Sequence, residues 1–235
     1  MAELNFDAEA LALFKRLGVD QTSAPRSSSG YNSLDPIFSR SGGTTGGTIY
    51  VGNQGAASDL KTLQGLGVTH VVNCTAGMSC IPCYHRGTLH YLTFDIADWS
   101  KHCGASDAGV AAFVAPLFAF IDAALAQGGS VLVHCLAGAH RAGTTGVACL
   151  MHYGRILDVA EATAAAKRLR RVIDPIGRLP EFLKRLLRVE LAAGAQAGVA
   201  AGAGALAGAS GPGGGAQAPG AASAPESTAA EGGRV

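Results

Sequence analysis

Charge is scarce in this sequence and neither sign prevails. Lysine and arginine total 18, aspartate and glutamate 17, and the formal net charge is +1. A surface built to hold nucleic acid needs a clear positive excess, so this balance argues against nucleic acid as the main partner. The opening "MAELNFDAEALALF" lacks the basic start and apolar core of a secretory signal. Six cysteines in 235 residues are too few for a disulfide framework. They point to a reducing compartment with free thiols, hence the cytoplasm, with the nucleus as a second location. Long apolar runs suited to a bilayer are also missing. "AGVAAFVAPLFAFI" is short, contains Pro116 and runs into Asp122, which predicts a buried helix. "LAAGAQAGVAAGAGALAGAS" is uncharged and shows small-residue spacing at Gly194, Gly198 and Gly202. Its only large apolar side chains are Leu191, Val199 and Leu206, and its glycines disfavour a helix, so it is expected to be disordered. No membrane span is expected.

What is present is enough apolar sequence, 48% of residues, for one core-bearing domain with unstructured ends. The pattern divides into an N-terminal helix and Ser/Gly-rich linker (1–46), a globular domain (47–191) and an Ala/Gly/Pro-rich disordered tail (192–235). Leu4, Leu11, Phe14 and Leu17 predict an amphipathic helix over 3–17. Residues 21–47 read as a linker. "GTIYVG", "VTHVVNC", "LHYLTF" and "SVLVHC" read as strands. Helices are predicted over 58–67, 107–127, 142–153, 159–171 and 179–190, the fourth opened by Asp158 with Glu161 three residues on. Alternating strands and helices imply an α/β fold with a central, mostly parallel sheet flanked by helices.

The stretch that carries chemistry is "VLVHCLAGAHRAGTTG", residues 131–146. An apolar strand ends at Cys135, a small loop follows, and Arg141 opens a helix. A strand, a tight loop and a helix N-terminus make an anion site, since loop amides converge and the helix dipole adds positive potential. Gly138 allows a positive-φ turn, and Ala137 and Ala139 keep the rim small. Arg141 supplies a planar fork for two phosphate oxygens. Such a field favours a thiolate at Cys135, and a thiolate beneath a bound phosphate is an in-line nucleophile.

His134, Cys135, the five residues "LAGAH" and Arg141 together resemble the signature of the cysteine-dependent dual-specificity protein phosphatases. The likeness extends to "IYVGNQGAASDLKTLQGLGVTHVVNCT" and "RVIDPIGRLPEFLKRLLRVE", covering about residues 47–190. It implies a protein tyrosine phosphatase-like fold, phosphorylated proteins as substrates, no cofactor, no metal and a monomer. It implies Cys135 as nucleophile, with Leu136, Ala137, Gly138, Ala139, His140 and Arg141 around the phosphate. An aspartate between "LHYLTF" and the long helix would be the general acid. "FDIADWSKH" offers Asp95 and Asp98, and the family pattern favours Asp98. His134 would orient the loop by hydrogen bonds. Asn73 would brace the loop through its amide or merely end a strand. Cys74 matches a second cysteine that, in a few related phosphatases, forms a reversible disulfide with the nucleophile; a small buried thiol is the alternative.

Three functions follow. The first is a phosphatase acting on phosphotyrosine, phosphoserine or phosphothreonine. The loop lacks the lysines that lipid-phosphate phosphatases use there, which favours protein substrates, although His140 also occurs beside the arginine in some inositol pyrophosphate phosphatases. The second is a slow or inactive phosphoprotein-binding module, suggested by Ala142, where most of the family has Ser or Thr. The third is a zinc or redox protein built on Cys80, Cys83 and His85 in "CIPCYH", but no second paired-ligand motif accompanies it. The seven basic residues from Lys167 to Arg185, followed by Arg188, are expected to be solvated helix faces.

Overall fold

The computed structural model describes residues 4–19, 31–40, 47–77 and 80–207, with side chains up to residue 196. Its elements run in the order α1 (Phe6–Leu17), β1 (Leu34–Ser39), β2 (Thr48–Gly52), α2 (Gln54–Ser58), α3 (Leu60–Gly65), β3 (Val68–Asn73), β4 (His90–Thr93), α4 (Trp99–Cys103), α5 (Asp107–Ala126), β5 (Ser130–His134), α6 (Arg141–His152), α7 (Val159–Leu169) and α8 (Leu179–Ala207). The sheet has strand order β1-β2-β5-β3-β4. β1 is antiparallel to β2, and the other pairings are parallel.

The register explains where a site can form. Gly52 and Asn73 both lie opposite His134, and Asn73 lies opposite Thr93. The four parallel strands therefore end level, and the loops leaving them sit side by side at one edge, where open α/β sheets bind their ligands. β5 lies between β2 and β3 and is buried along its whole length, which is why its sequence is apolar without alternation. Val131 and Val133 point into the larger core with α5, α6 and the start of α8, while Leu132 points into the smaller cluster with Ala57, Leu63 and Val71. Each such side chain contributes about 1.5–3 kcal/mol when fully buried.

α5 is long and apolar enough to cross a membrane by composition alone. Here Val110, Val114, Leu117, Ile121 and Leu125 are buried in the main core, as the sequence predicts. α1 is capped by Asn5, whose side chain accepts from Asp7 N (3.1 Å) and Ala8 N (3.0 Å), and ends at Gly18 in the left-handed region (φ 63°).

Three expectations need correction. The linker expected over 21–47 contains β1, an edge strand. Edge position tolerates Pro36, which has no N–H to give, and the register slips between Pro36 and Phe38. Residues 20–30 and 41–46 of that expected linker lie outside the described residues. The last helix does not stop at 190 but runs to Ala207, through the alanines and glycines expected to be disordered; residues 208–235 lie outside the described residues. Finally, the basic stretch is not uniformly solvated: Arg170 and Arg185 are buried. Arg185 donates to the carbonyls of Gly104 (2.9 Å) and Ser106 and lies over the Trp99 ring. Trp99 in turn donates to Arg178 O and packs on Phe182, so α8 fixes the segment that carries Asp98.

Candidate active site

The loop between β5 and α6 is shaped by what its carbonyls bind. Leu136 O accepts from Gln54 N (3.1 Å), and Ala139 O accepts from Asp174 N (3.0 Å). Ala137 O accepts from Tyr31 Oη (2.8 Å) and Arg170 Nη2 (3.2 Å), and Gly138 O accepts from Arg170 Nε (2.8 Å). His140 O accepts from Thr144 N (2.8 Å) inside α6. Five consecutive carbonyls are thus turned into the protein. In a planar trans peptide the N–H points opposite to the carbonyl, so each amide of residues 137–141 is turned away from the partner of the preceding carbonyl. The positive end of α6 lies at the end of this loop, where Arg141 opens the helix. Gly138 is essential to this shape. Its φ is +65°, and a Cβ there would sit 2.5 Å from Gly52 O.

Cys135 follows β5 directly and is only 3% exposed. Arg141 is the first residue of α6, 4% exposed, and its Nη2 donates to the carboxylate of Asp7 on α1. His134 is fully buried, and burial pushes its pKa down to about 4, with Arg141 adding to the effect, so its ring is neutral. Among the described residues no side chain partners either ring nitrogen, and a backbone hydrogen bond at Cys135 acts on the ring in the opposite direction to burial. His140 Nδ1 lies 2.8 Å from Asp174 O, so that nitrogen carries the proton and donates.

Asn73 does not brace the phosphate loop through its amide. It donates to Ile81 O (2.7 Å) and accepts from Thr75 N and Thr75 Oγ1, holding the loop that follows β3. The brace comes instead from Asn53, Tyr31 and Arg170. Asn53 Nδ2 donates to Tyr31 Oη (3.0 Å), which aims that hydroxyl's proton at Ala137 O. Sequence pattern singles out none of the three, because Tyr31 and Arg170 reach the loop across long stretches of chain and Asn53 acts through Tyr31. Cys74 is fully buried in the core cluster that contains Cys135. Its Sγ is 3.4 Å from Thr145 Oγ1, and burial pushes its pKa well up, so it remains a thiol.

Asp98 sits where β4 has ended and α4 begins, and Lys101 Nζ lies 2.8 Å from its carboxylate. Asp95, three residues earlier, is held by His102 Nε2 at 3.0 Å. Ala142 is fully buried at the start of α6. The two nearby hydroxyls are engaged elsewhere: Thr144 Oγ1 donates to His140 O (2.7 Å), and Thr145 Oγ1 to Arg141 O (3.1 Å). Cys80 is exposed and Cys83 half-buried, and among the described residues no group of three or more His, Cys, Asp or Glu is arranged to hold a metal.

Solved structures share this fold. Human DUSP28 aligns with a TM-score of 0.50 at 24% identity, covering 72% of this chain and 98% of that one. The human tyrosine phosphatase-like serine/threonine/tyrosine-interacting protein aligns with a TM-score of 0.50 at 23% identity, covering 61% and 93%. These likenesses are of fold. In sequence, the chain is 35% identical over 143 residues to mouse dual specificity protein phosphatase 2, covering 60% of this chain and 41% of that protein. It is 32% identical over 166 residues to human dual specificity protein phosphatase 9, covering 65% and 40%. The chain therefore spans about two fifths of the length of the curated relatives it matches. The family model for the catalytic domain of dual specificity phosphatases matches residues 49–190, from β2 into α8, and so takes in the cradle, Cys135, Arg141 and both candidate acids. With the loop, the sheet and the sequence in agreement, the chain belongs to the dual specificity phosphatase family.

Proposed function

We propose that this chain is a protein phosphatase, hydrolysing phosphotyrosine, phosphoserine or phosphothreonine through a cysteinyl-phosphate intermediate. The observation that carries this reading is the set of five inward-turned carbonyls after Cys135, which turns the amides of 137–141 away from those partners, in a loop that ends at Arg141. That arrangement suits a tetrahedral oxyanion and little else. In the first step the Cys135 thiolate attacks phosphorus and the ester P–O bond breaks. The leaving oxygen takes its proton from Asp98. In the second step water attacks phosphorus, Asp98 accepts its proton, the P–S bond breaks and the thiolate is restored. Loop amides and Arg141 hold the three equatorial oxygens throughout. The loop offers only small apolar side chains and His140, with no lysine to neutralise further phosphates, which favours protein substrates over polyphosphorylated lipids.

A second reading, a slow module that captures phosphoproteins, is favoured by one observation. Ala142 has no hydroxyl, and those of Thr144 and Thr145 are already committed to backbone carbonyls. Steady-state hydrolysis of a small aryl phosphate separates the two. Replacing Cys135 by Ser tests the mechanism: hydrolysis should vanish while tungstate binding and the far-UV spectrum persist, because a serine hydroxyl is not ionised in that field. Activity within tenfold of the parent would refute it.

A further inference from the structure

The arginine that should clamp the substrate's phosphate is already holding a carboxylate from the same chain. Arg141 Nη2 donates to Asp7 Oδ1, and the Phe6 ring lies 5.6 Å from the guanidinium carbon. Arg141 Nε is buried with no hydrogen-bond partner among the described residues. The segment carrying Asp7 runs over the site. Leu4 lies against Gly177, where an added Cβ would meet its Cδ2 at 2.8 Å. Ala10, Leu13 and Phe14 form one cluster with Ala137 and Ala139 of the loop itself. Tyr31, which holds the loop through Ala137 O, packs edge-on to Phe14.

We propose that α1 is an autoinhibitory lid, with Asp7 as an intramolecular competitor for the phosphate's place on Arg141. This rests on reading the loop as a phosphate site. A carboxylate presents two oxygens to a guanidinium as a phosphate does, but with half the charge of the dianion. Asp7 is also unlike a permanent buttress, because its side chain is 30% exposed while that of Arg141 is 5% exposed. The docked face of α1 comprises three buried side chains, Ala10, Leu13 and Phe14, in a cluster separate from the main core; its first turn meets that core through the half-buried Phe6, so displacing the turn gives up that contact but none of the core's buried side chains. A phosphoryl dianion supplies more charge and takes the free Nε as well. Substrate binding is then an exchange of one anion for another.

The test is tungstate affinity, read by isothermal titration calorimetry, for the parent and for Asp7→Asn. Asparagine keeps the shape and removes the charge. Losing one charge-assisted contact, discounted for partial exposure, predicts about five- to tenfold tighter tungstate binding. KM for an aryl phosphate should fall by a similar factor with no loss of kcat. If Asp7 positions Arg141 for catalysis, the opposite follows, weaker tungstate binding with lower kcat, and the inference is overturned. Equal affinities would also overturn it, while leaving the phosphatase reading intact. Failure of both proteins to bind tungstate would overturn both. Hydrogen exchange on the unaltered chain gives an independent readout: tungstate should speed exchange across residues 6–11, and protection there would refute displacement.

Discussion

Arg170 should be worth more to this protein than its place in a basic run suggests. It is 2% exposed and spends its whole fork: Nε on Gly138 O (2.8 Å), Nη2 on Ala137 O (3.2 Å), and Nη1 on Asn32 O (3.0 Å) and the Asp35 carboxylate (2.6 Å). Its carbon Cζ also lies 5.2 Å from the centre of the Tyr31 ring. It therefore ties the segment before β2, the phosphate loop and the end of α7 to one group. Arg170→Met keeps the bulk and removes the charge. Asp35, with a side chain 15% exposed, then loses its cation and keeps Asn32 Nδ2 (2.7 Å), and three carbonyls lose a donor. Removing one member of a buried ion pair costs about 3–5 kcal/mol. A domain of this size loses roughly 2–4 °C of Tm per kcal/mol, so a drop of about 6–20 °C is expected in a thermal unfolding scan followed by circular dichroism. Much of the loss should come from stranded charge, so adding Asp35→Asn to Arg170→Met should restore part of it. Arg170→Lys preserves the pairing with Asp35 but cannot fork to both loop carbonyls. It should lose less stability and more oxyanion affinity. A Tm change below about 2 °C for Arg170→Met would refute this account, as would an Arg170→Lys protein with unchanged tungstate binding.

Two further outcomes concern the reaction. Ala142→Ser should raise steady-state turnover by about ten- to a hundredfold, since a hydrogen bond to the departing thiolate is worth roughly 1.5–3 kcal/mol. Rapid-quench kinetics on an activated aryl phosphate should show a burst in the parent and none in the variant. Asp98→Ala should slow esters with basic leaving groups far more than activated aryl esters, because a general acid matters most when the leaving oxygen is basic. If Asp95→Ala shows that signature instead, the assignment within "FDIADWSKH" moves three residues back.

The centre of the molecule is readable from sequence because its determinants are local. "SVLVHC" must be an interior strand, since it is apolar on both faces, and β5 is buried on both. Gly138 must sit in a tight loop, and its positive φ is what only glycine adopts cheaply. The periphery is less legible. β1 carries a proline and a register slip that only an edge tolerates, so its sequence looks like linker. Asn73 could point its amide to either side of the strand end; Thr75 and Ile81 decide it, and their approach depends on how the next loop folds back. Arg170 and Asp7 were invisible for the same reason. Their partners lie 32 and 134 residues away, and no periodicity encodes such a meeting.

That division between local and distant determinants has a kinetic consequence. The proposed nucleophile and phosphate clamp lie in one short motif, with the proposed acid Asp98 on a separate loop, whereas the groups that shape the loop come from Tyr31, Gln54, Arg170 and Asp174. A family motif therefore specifies which reaction is possible, and the surrounding chain decides how readily it runs. Two features of this chain bear on readiness, and they act on different steps. Asp7 opposes binding, because its carboxylate must leave Arg141 before a phosphate can enter. On the proposed mechanism Ala142 opposes breakdown of the phosphoenzyme, because it offers the departing sulfur no hydroxyl and those of Thr144 and Thr145 donate to backbone carbonyls. The first raises KM and leaves a burst untouched; the second lowers kcat and creates the burst. A slow enzyme of this family can thus be assigned to one cause or the other by which parameter recovers when the single residue is changed.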